Sequence, residues 1–285
     1  MSSVTIIVVP YHVGVANYRV GAGPQAILEA GLLPGLERQN FTIDCIHSPA
    51  VHGFEGEVGR SFELLRKIST EVSKAAESGS FPIVLAGNCH TSVGVSSGLE
   101  SSDHGIIWLD AHEDYHTPET LQSGYFDAMG VSMLVGESWS ALCKSIPGYT
   151  PLTTDKVVFC GLRDVTEVEQ RRVRDAGFKV VWGCTDKRVD FRGELEQHLT
   201  DVPFSQAMLH LDLDCLDVSF GKANQFAAPG GLLEHHLQGI ISLLRSNCPP
   251  VSLTVASFDP SLEGGPAIAA VAVRAICATV LAVLD

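Results

Sequence analysis

The sequence predicts an α/β fold: one three-layer α/β/α domain around a mainly parallel sheet of about eight strands. Three observations lead there. Short β-branched runs alternate with longer segments of helical spacing along the whole chain. Most of those runs are continuously apolar, as strands covered on both faces are. Nothing in the 285 residues reads as a Ser/Gly-rich linker, a repeat or a low-complexity stretch, so residues 1–285 form a single domain in this reading.

The elements follow in order. The first strand is Thr5–Val9, and Pro24–Leu33 has helical spacing. Strand Phe41–Ile46 is followed by helix Phe62–Ala76. Two strands, Pro82–Ala86 and Gly105–Leu109, come next, with a short helix over Met129–Val135. Lys156–Cys160 contains the apolar run VVFC, and Val165–Ala176 has helical spacing. Strand Phe178–Trp182 precedes helix Phe191–Leu199, and strand Ala207–Leu211 precedes helix Leu232–Leu244. The last pair is strand Ser252–Ser257 and helix Ala267–Leu284. Residues Gly265 to Leu284 are long enough to span a bilayer, but Arg274 at their centre and the abundance of Ala predict a buried, close-packed helix.

Composition narrows the function. With 45% hydrophobic residues the chain is not disordered, and a net charge of −14 disfavours nucleic acid and other polyanions. The surplus carboxylates either serve solubility or are gathered to hold cations. Eight cysteines are scattered without a C-x-x-C pair, as reduced thiols in a cytoplasmic protein are. The N-terminal residues show no secretory signal. The expected partner is a small molecule, not nucleic acid or membrane, and homo-oligomerisation is left open.

In a parallel sheet, functional groups collect beyond the carboxyl ends of the strands. Three such ends are rich in ligating residues. Pro82–Ala86 is followed by Gly87-Asn88-Cys89-His90, and Gly105–Leu109 by Asp110-Ala111-His112-Glu113-Asp114-Tyr115-His116. Ala207–Leu211 runs into Asp212-Leu213-Asp214-Cys215-Leu216-Asp217. So many carboxylates near an interior need counter-charge. Mixed carboxylate and imidazole donors without a thiolate pair suit Mn2+ or, less specifically, Fe2+, Co2+, Ni2+ or Zn2+. In an extended segment, residues two apart point the same way, so Asp110, His112 and Asp114 can share a pocket, as can Asp212 and Asp214. Cys89 and Cys215 read as small packing residues. The run Gly21–Ala26 fits a dinucleotide fingerprint only loosely, since it lies far past its strand and has Pro in the turn.

These motifs resemble the ureohydrolase family of arginases, agmatinases and formimidoylglutamases. Gly87–His90 matches G-G-D-H, Asp110–His116 matches D-A-H-x-D-x-N, and Asp212–Val218 matches D-x-D-x-x-D-P. Smaller matches at Gly23–Ile27, Gly161–Asp164, Ala228–Leu232 and Asp259–Leu262 extend the resemblance over nearly the whole chain. It implies an arginase-like fold and two Mn2+ ions per chain held by His90, Asp110, His112, Asp114, Asp212 and Asp214.

The sequence departs from the family on the organic side of the site. Asp127 stands where the resemblance places a proton-shuttling His, and Ser257 where it places the Glu that clamps a guanidinium. His116 and Tyr125 replace Asn residues, Thr166 replaces an Asp, and Cys89 replaces another Asp. Ser123 and Glu169 keep family positions. By position the substrate contacts are His116, Ser123, Tyr125, Glu169 and Ser257, and Asp127 is the expected proton donor, a role that needs its carboxyl raised. Its bland alternative is an N-cap for the helix after it. The expected reaction is metal-dependent hydrolysis of a C–N bond in a guanidino-type or related molecule, such as an N-hydroxyguanidine, amidine or amide, and not plain L-arginine. The alternatives are a catalytically altered arginase-like protein that binds metal or a partner, and a single-zinc deacetylase holding one ion.

Overall fold

The structure is a computed structural model and describes residues 2–99 and 103–284. Eight strands form its main sheet: β1 Ser3–Val9, β2 Thr42–His47, β3 Ser80–Ala86, β4 His104–Leu109, β5 Val157–Leu162, β6 Lys179–Trp182, β7 Gln206–Asp212 and β8 Pro250–Ala256. They lie in the order β2-β1-β3-β8-β7-β4-β5-β6 with every pairing parallel. Each predicted strand is present with its ends within two residues of those expected. A two-stranded hairpin, Tyr11–His12 with Val15–Ala16, lies outside the predicted set.

The pleat divides the core between two faces. Ile6 and Val8 of β1 join a cluster under α1 Gly23–Glu29, α2 Leu32–Glu37, α8 Phe191–Leu199, α9 Glu234–Asn247 and α10 Gly265–Leu284. Ile7 and Val9 join the opposite cluster, under α3 Glu57–Glu77, α4 Thr91–Gly98, α5 Gly130–Leu134, α6 Ser140–Cys143 and α7 Glu167–Asp175. Helix α3 shows why: Phe62, Leu65, Ile68 and Val72 recur at helical spacing and are all buried. Each such side chain contributes roughly 1.5–3 kcal/mol on burial.

Two helices differ from expectation. Pro24–Leu33 is broken at Gly31, whose φ of 100° reverses the chain into α2. Helix α4 has no amphipathic signal because TSVGVSSG is buried on every side. Its small residues let two backbones meet: a Cβ on Gly94 would lie 2.8 Å from the Leu65 carbonyl, and one on Gly98 2.4 Å from that of Ser69. Helix α10 is long and apolar enough to cross a membrane. Here it buries Ile268, Val271, Ala272, Ile276 and Val280 in the core, while Arg274 reaches outward to Glu234 at 2.5 and 2.9 Å.

Register fixes the site. Leu109 of β4 pairs with Leu211 of β7, so Asp110 and Asp212 leave the sheet side by side. On the other flank, Val255 of β8 pairs with Leu85 of β3, and the Ser257 amide donates to the Gly87 carbonyl at 3.1 Å. Three strand ends therefore open on one crevice.

Candidate metal centre

Each strand end is shaped by local backbone chemistry. At β3, Gly87 passes under the chain after β1, and a Cβ there would lie 2.1 Å from the Tyr11 carbonyl. Only glycine permits that crossing, and it delivers Asn88, Cys89 and His90 to the crevice. At β4 and β7 the aspartates do not continue as strand. Asp110 Oδ1 accepts from the His112 amide at 2.8 Å, and Asp212 Oδ1 from the Asp214 amide at 2.7 Å. These are Asx turns, tightened at Asp114 by φ 44° and after β7 by a short 3-10 turn, Leu213–Cys215. The D-x-H and D-x-D residues thus converge by turning; the expectation that an extended backbone aligns them is corrected. Arg163 pins the second turn from outside, donating to the carbonyls of Asp214 at 2.7 Å and Leu216 at 3.1 Å.

The six expected ligands fall into distinct groups. Donor atoms of Asp110, His112 and Asp214 lie within 4.8 Å of one another, and so do those of Cys89, Asp110, His210 and Asp212. Asp110 belongs to both sets. His112 Nδ1 is 3.2 Å from Asp214 Oδ2, and Trp108 Nε1 donates to Asp110 Oδ2 at 2.8 Å. Asp114 is on the wall of the same crevice. His90 belongs to neither set, for its Nδ1 is 2.9 Å from Asp127.

Electrostatics shows what the cluster lacks. Burial, then the neighbouring Asp214, push the Asp110 carboxyl up to about 6. Burial and adjacent aspartates push Asp114 and Asp212 well above the carboxylate range. Burial alone would lower His112, but Asp214 and Asp110 overrule it and hold its imidazolium well above the usual value. Ionisation is thus disfavoured at Asp110, Asp114 and Asp212, while His112 holds Asp214 well below the usual range. Divalent ions replace protons with charge the site can share, and carboxylate and imidazole oxygens and nitrogens are donors that Mn2+ and its neighbours accept. The residues fit a metal centre.

Asp127 is tied to the strand end that follows β3. Its Oδ1 accepts from the His90 amide at 2.9 Å, which caps the start of α4 from outside, and its Oδ2 accepts from Asn88. It does not cap the helix that follows it. Burial alone would raise its carboxyl, but the bonds from His90 and Asn88 hold it below the usual range.

A cavity of about 430 Å3 lies over the cluster. His116, Ser123, Tyr125, Glu169 and Ser257 all line it, together with Asp127. Glu169 also closes a capping box with Thr166 at the head of α7, which fixes its backbone. Its Oε1 is 3.0 Å from His116 Nε2. Glu113 joins them, its Oε1 3.3 Å from the same nitrogen but not aligned for a hydrogen bond. Burial, then Glu169, push the Glu113 carboxyl up to about 7.

Asn224 and His210 escaped the sequence reading, and Cys89 was read there only as a small packing residue. Asn224 donates both to Asp214 Oδ2 at 2.8 Å and to Ser257 Oγ at 3.0 Å, tying the metal cluster to the substrate wall. It lies in a loop with no motif. His210 and Cys89 enter the second donor set, and the signal for His210 was available: it precedes Asp212 by two residues on the same face of β7.

A parallel sheet in this order, with an Asp/His cluster at its carboxyl edge beneath a cavity, defines an α/β protein with a candidate metal centre. Comparison with known proteins makes the class definite. Residues 2–282 match the model of the arginase family. An arginase of Bacillus caldovelox is 30% identical over 254 residues, covering 83% of this chain and 85% of that protein. An arginase of Eremothecium gossypii is 26% identical over 279 residues, with 90% and 69% covered. The solved structure of the B. caldovelox arginase superposes with a TM-score of 0.87 at 26% identity over 98% of each chain. Proclavaminate amidino hydrolase from Streptomyces clavuligerus shares the fold, with a TM-score of 0.71 at 18% identity over 99% and 91% of the two chains. The chain belongs to the arginase family, whose members are hydrolases acting on C–N bonds.

Proposed function

We propose that this protein uses two divalent ions, Mn2+ being the expected metal, to hydrolyse a C–N bond of a guanidino-related small molecule other than plain L-arginine. The observation that carries the reading is the contrast within one cavity. Its floor carries His112, Asp114, Asp212 and Asp214 of the donors the family resemblance implies, while its wall has Ser257 and Asp127 in place of the family's Glu and His. A permanent guanidinium cation facing Ser257 lacks a charge-assisted partner of about 1.5–3 kcal/mol. An N-hydroxyguanidine, amidine or amide does not need that partner.

Asp110, His112, Asp114, Asp212 and Asp214 would hold the ions, with His90 entering beside Asp127. Bound there, the ions would supply an acidified water and Lewis-acid activation. The protein's own groups set the geometry. Trp108 fixes Asp110, Asn224 fixes Asp214, and Asp127 fixes the ring of His90. Glu113 and His116 stand on the cavity wall within reach of a leaving nitrogen, and we assign the proton transfer to Glu113, not Asp127. This assignment rests on the free Oε1 of Glu113 and the two satisfied oxygens of Asp127.

The test is a screen of Mn2+-loaded protein against guanidino, N-hydroxyguanidino, amidino and amide compounds, read as release of urea, hydroxyurea, ammonia or formamide. Turnover of a less basic compound above that of L-arginine is expected. Two bound ions without turnover of any compound would replace the enzyme by a metal-binding module.

A further inference from the structure

Deepest in the crevice, the ring of His210 is fully buried. It stacks on Trp108 at 3.6 Å between centroids and 18° between planes, and its Nδ1 is 2.8 Å from Ser92 Oγ. Its other nitrogen, Nε2, has no hydrogen-bond partner among the described residues. A buried polar atom of this kind is costly when unmatched. One ring nitrogen of His210 is also among four donor atoms, with those of Cys89, Asp110 and Asp212, that lie within 4.8 Å of one another, and Nε2 is the nitrogen that Ser92 leaves free. Cys89 Sγ is itself 2.8 Å from Asp212 Oδ2.

The chemistry of that set differs from a carboxylate-rich manganese position. It offers one imidazole nitrogen, one sulfur and two carboxylates. Soft or borderline donors favour Zn2+, Co2+ and Fe2+, and a thiolate has little attraction for Mn2+. A tetrahedral ion with bonds of about 2.0–2.3 Å needs its ligands roughly 3.3–3.8 Å apart, so closure from the observed spacing asks for about an ångström of movement. The hydrogen bond between Ser92 and Nδ1 already orients the ring, as partners of ligating histidines do.

We infer that one of the two metal positions recruits His210 and Cys89 beside Asp110 and Asp212, giving an N, S, O, O site selective for a zinc-class ion over Mn2+. The inference rests on the metal-centre reading above and specifies its ligands. On binding, the Cys89 thiol proton, which now points to Asp212, is released to solvent, and the sulfur bonds to the ion as thiolate. No oxidation is involved.

Reconstitution of the chelator-stripped full chain with Co2+ tests it without reference to activity. The wild-type protein should show an intense near-ultraviolet sulfur-to-cobalt charge-transfer band that saturates at one ion per chain. Cys89→Ser should abolish the band while the second ion still binds. His210→Gln should weaken binding at that position by about 10–100-fold, and Zn2+ should displace Co2+ where Mn2+ does not. Two Co2+ bound by wild type without the band would overturn the thiolate site and leave the binuclear reading standing. No Co2+ bound at all would overturn both. Because the decisive spectrum is that of the wild type, a variant that fails to fold does not rescue the proposal.

Discussion

At the scale of single residues, Asp127 and Glu113 are acids on the same cavity wall with opposite surroundings. Asp127 is held as an anion by His90 and Asn88, whereas Glu113 is buried beside Glu169 with an oxygen left unpaired. Their conservative amides should therefore fail differently. Asp127→Asn loosens the ring of His90 and should weaken Mn2+ binding about 10-fold or more, with kcat recovering at saturating metal. Glu113→Gln should leave metal stoichiometry unchanged and lower kcat by roughly 100-fold or more. Calorimetric Mn2+ titration alongside steady-state kinetics separates the two, and the reverse pattern would return the donor role to Asp127. Sequence alone could not divide them. It showed an Asp in a His position, but the short path from Asp127 to His90 joins residues far apart in the chain. Asn224 is a further case, since one side chain bridges Asp214 and Ser257 from a loop whose residues carry no pattern.

At the scale of elements, most strands were legible because they are continuous apolar runs, as burial on both faces of a parallel sheet requires, whereas the edge strand β2, TIDCIH, alternates and is partly exposed. Their carboxyl ends were legible for the same reason, as a polar residue there interrupts the run sharply. Helix α4 was not. Its Gly and Ser have poor helix propensity and give no apolar stripe, and what makes TSVGVSSG helical is close packing on α3 and the cap that Asp127 places on His90. The turns after Asp110 and Asp212 were misjudged as extended because an aspartate bonding its own backbone two residues on leaves no trace in periodicity. The α3–α4 contact yields a prediction. Gly98→Val puts a Cβ where the Ser69 carbonyl stands and must push α4 from α3. We expect about 1–3 kcal/mol of destabilisation or more, seen as a lower midpoint in urea. Metal affinity should fall with it, since α4 begins at His90. Gly53→Val, where nothing lies within 4 Å of the added Cβ, is the matched control and should change neither.

At the scale of the whole molecule, a net charge of −14 is unevenly spent. Asp110, Asp212 and Asp214 are buried and Asp114 half-buried around one crevice; desolvation and mutual repulsion at Asp110, Asp114 and Asp212 oppose folding, while His112 and Asn224 favour the ionised Asp214. Two divalent ions would cancel about four of those charges at the point where they are most costly. Metal should consequently stabilise the entire chain and not the site alone, because the ligands come from three strand ends in the middle of the sheet, β3, β4 and β7, and no native cluster exists in the unfolded state. Free metal at a hundred times its Kd adds about 2.7 kcal/mol, which for a domain of this length corresponds to a rise on the order of 5 °C in Tm. Scanning calorimetry of chelator-treated protein with and without added Mn2+ measures it. The rise should grow with metal concentration and should vanish in Asp110→Asn, the carboxylate common to both donor sets. An equal rise with Na+ at matched ionic strength would mean that screening of the surface charge, and not occupancy of the crevice, accounts for the effect.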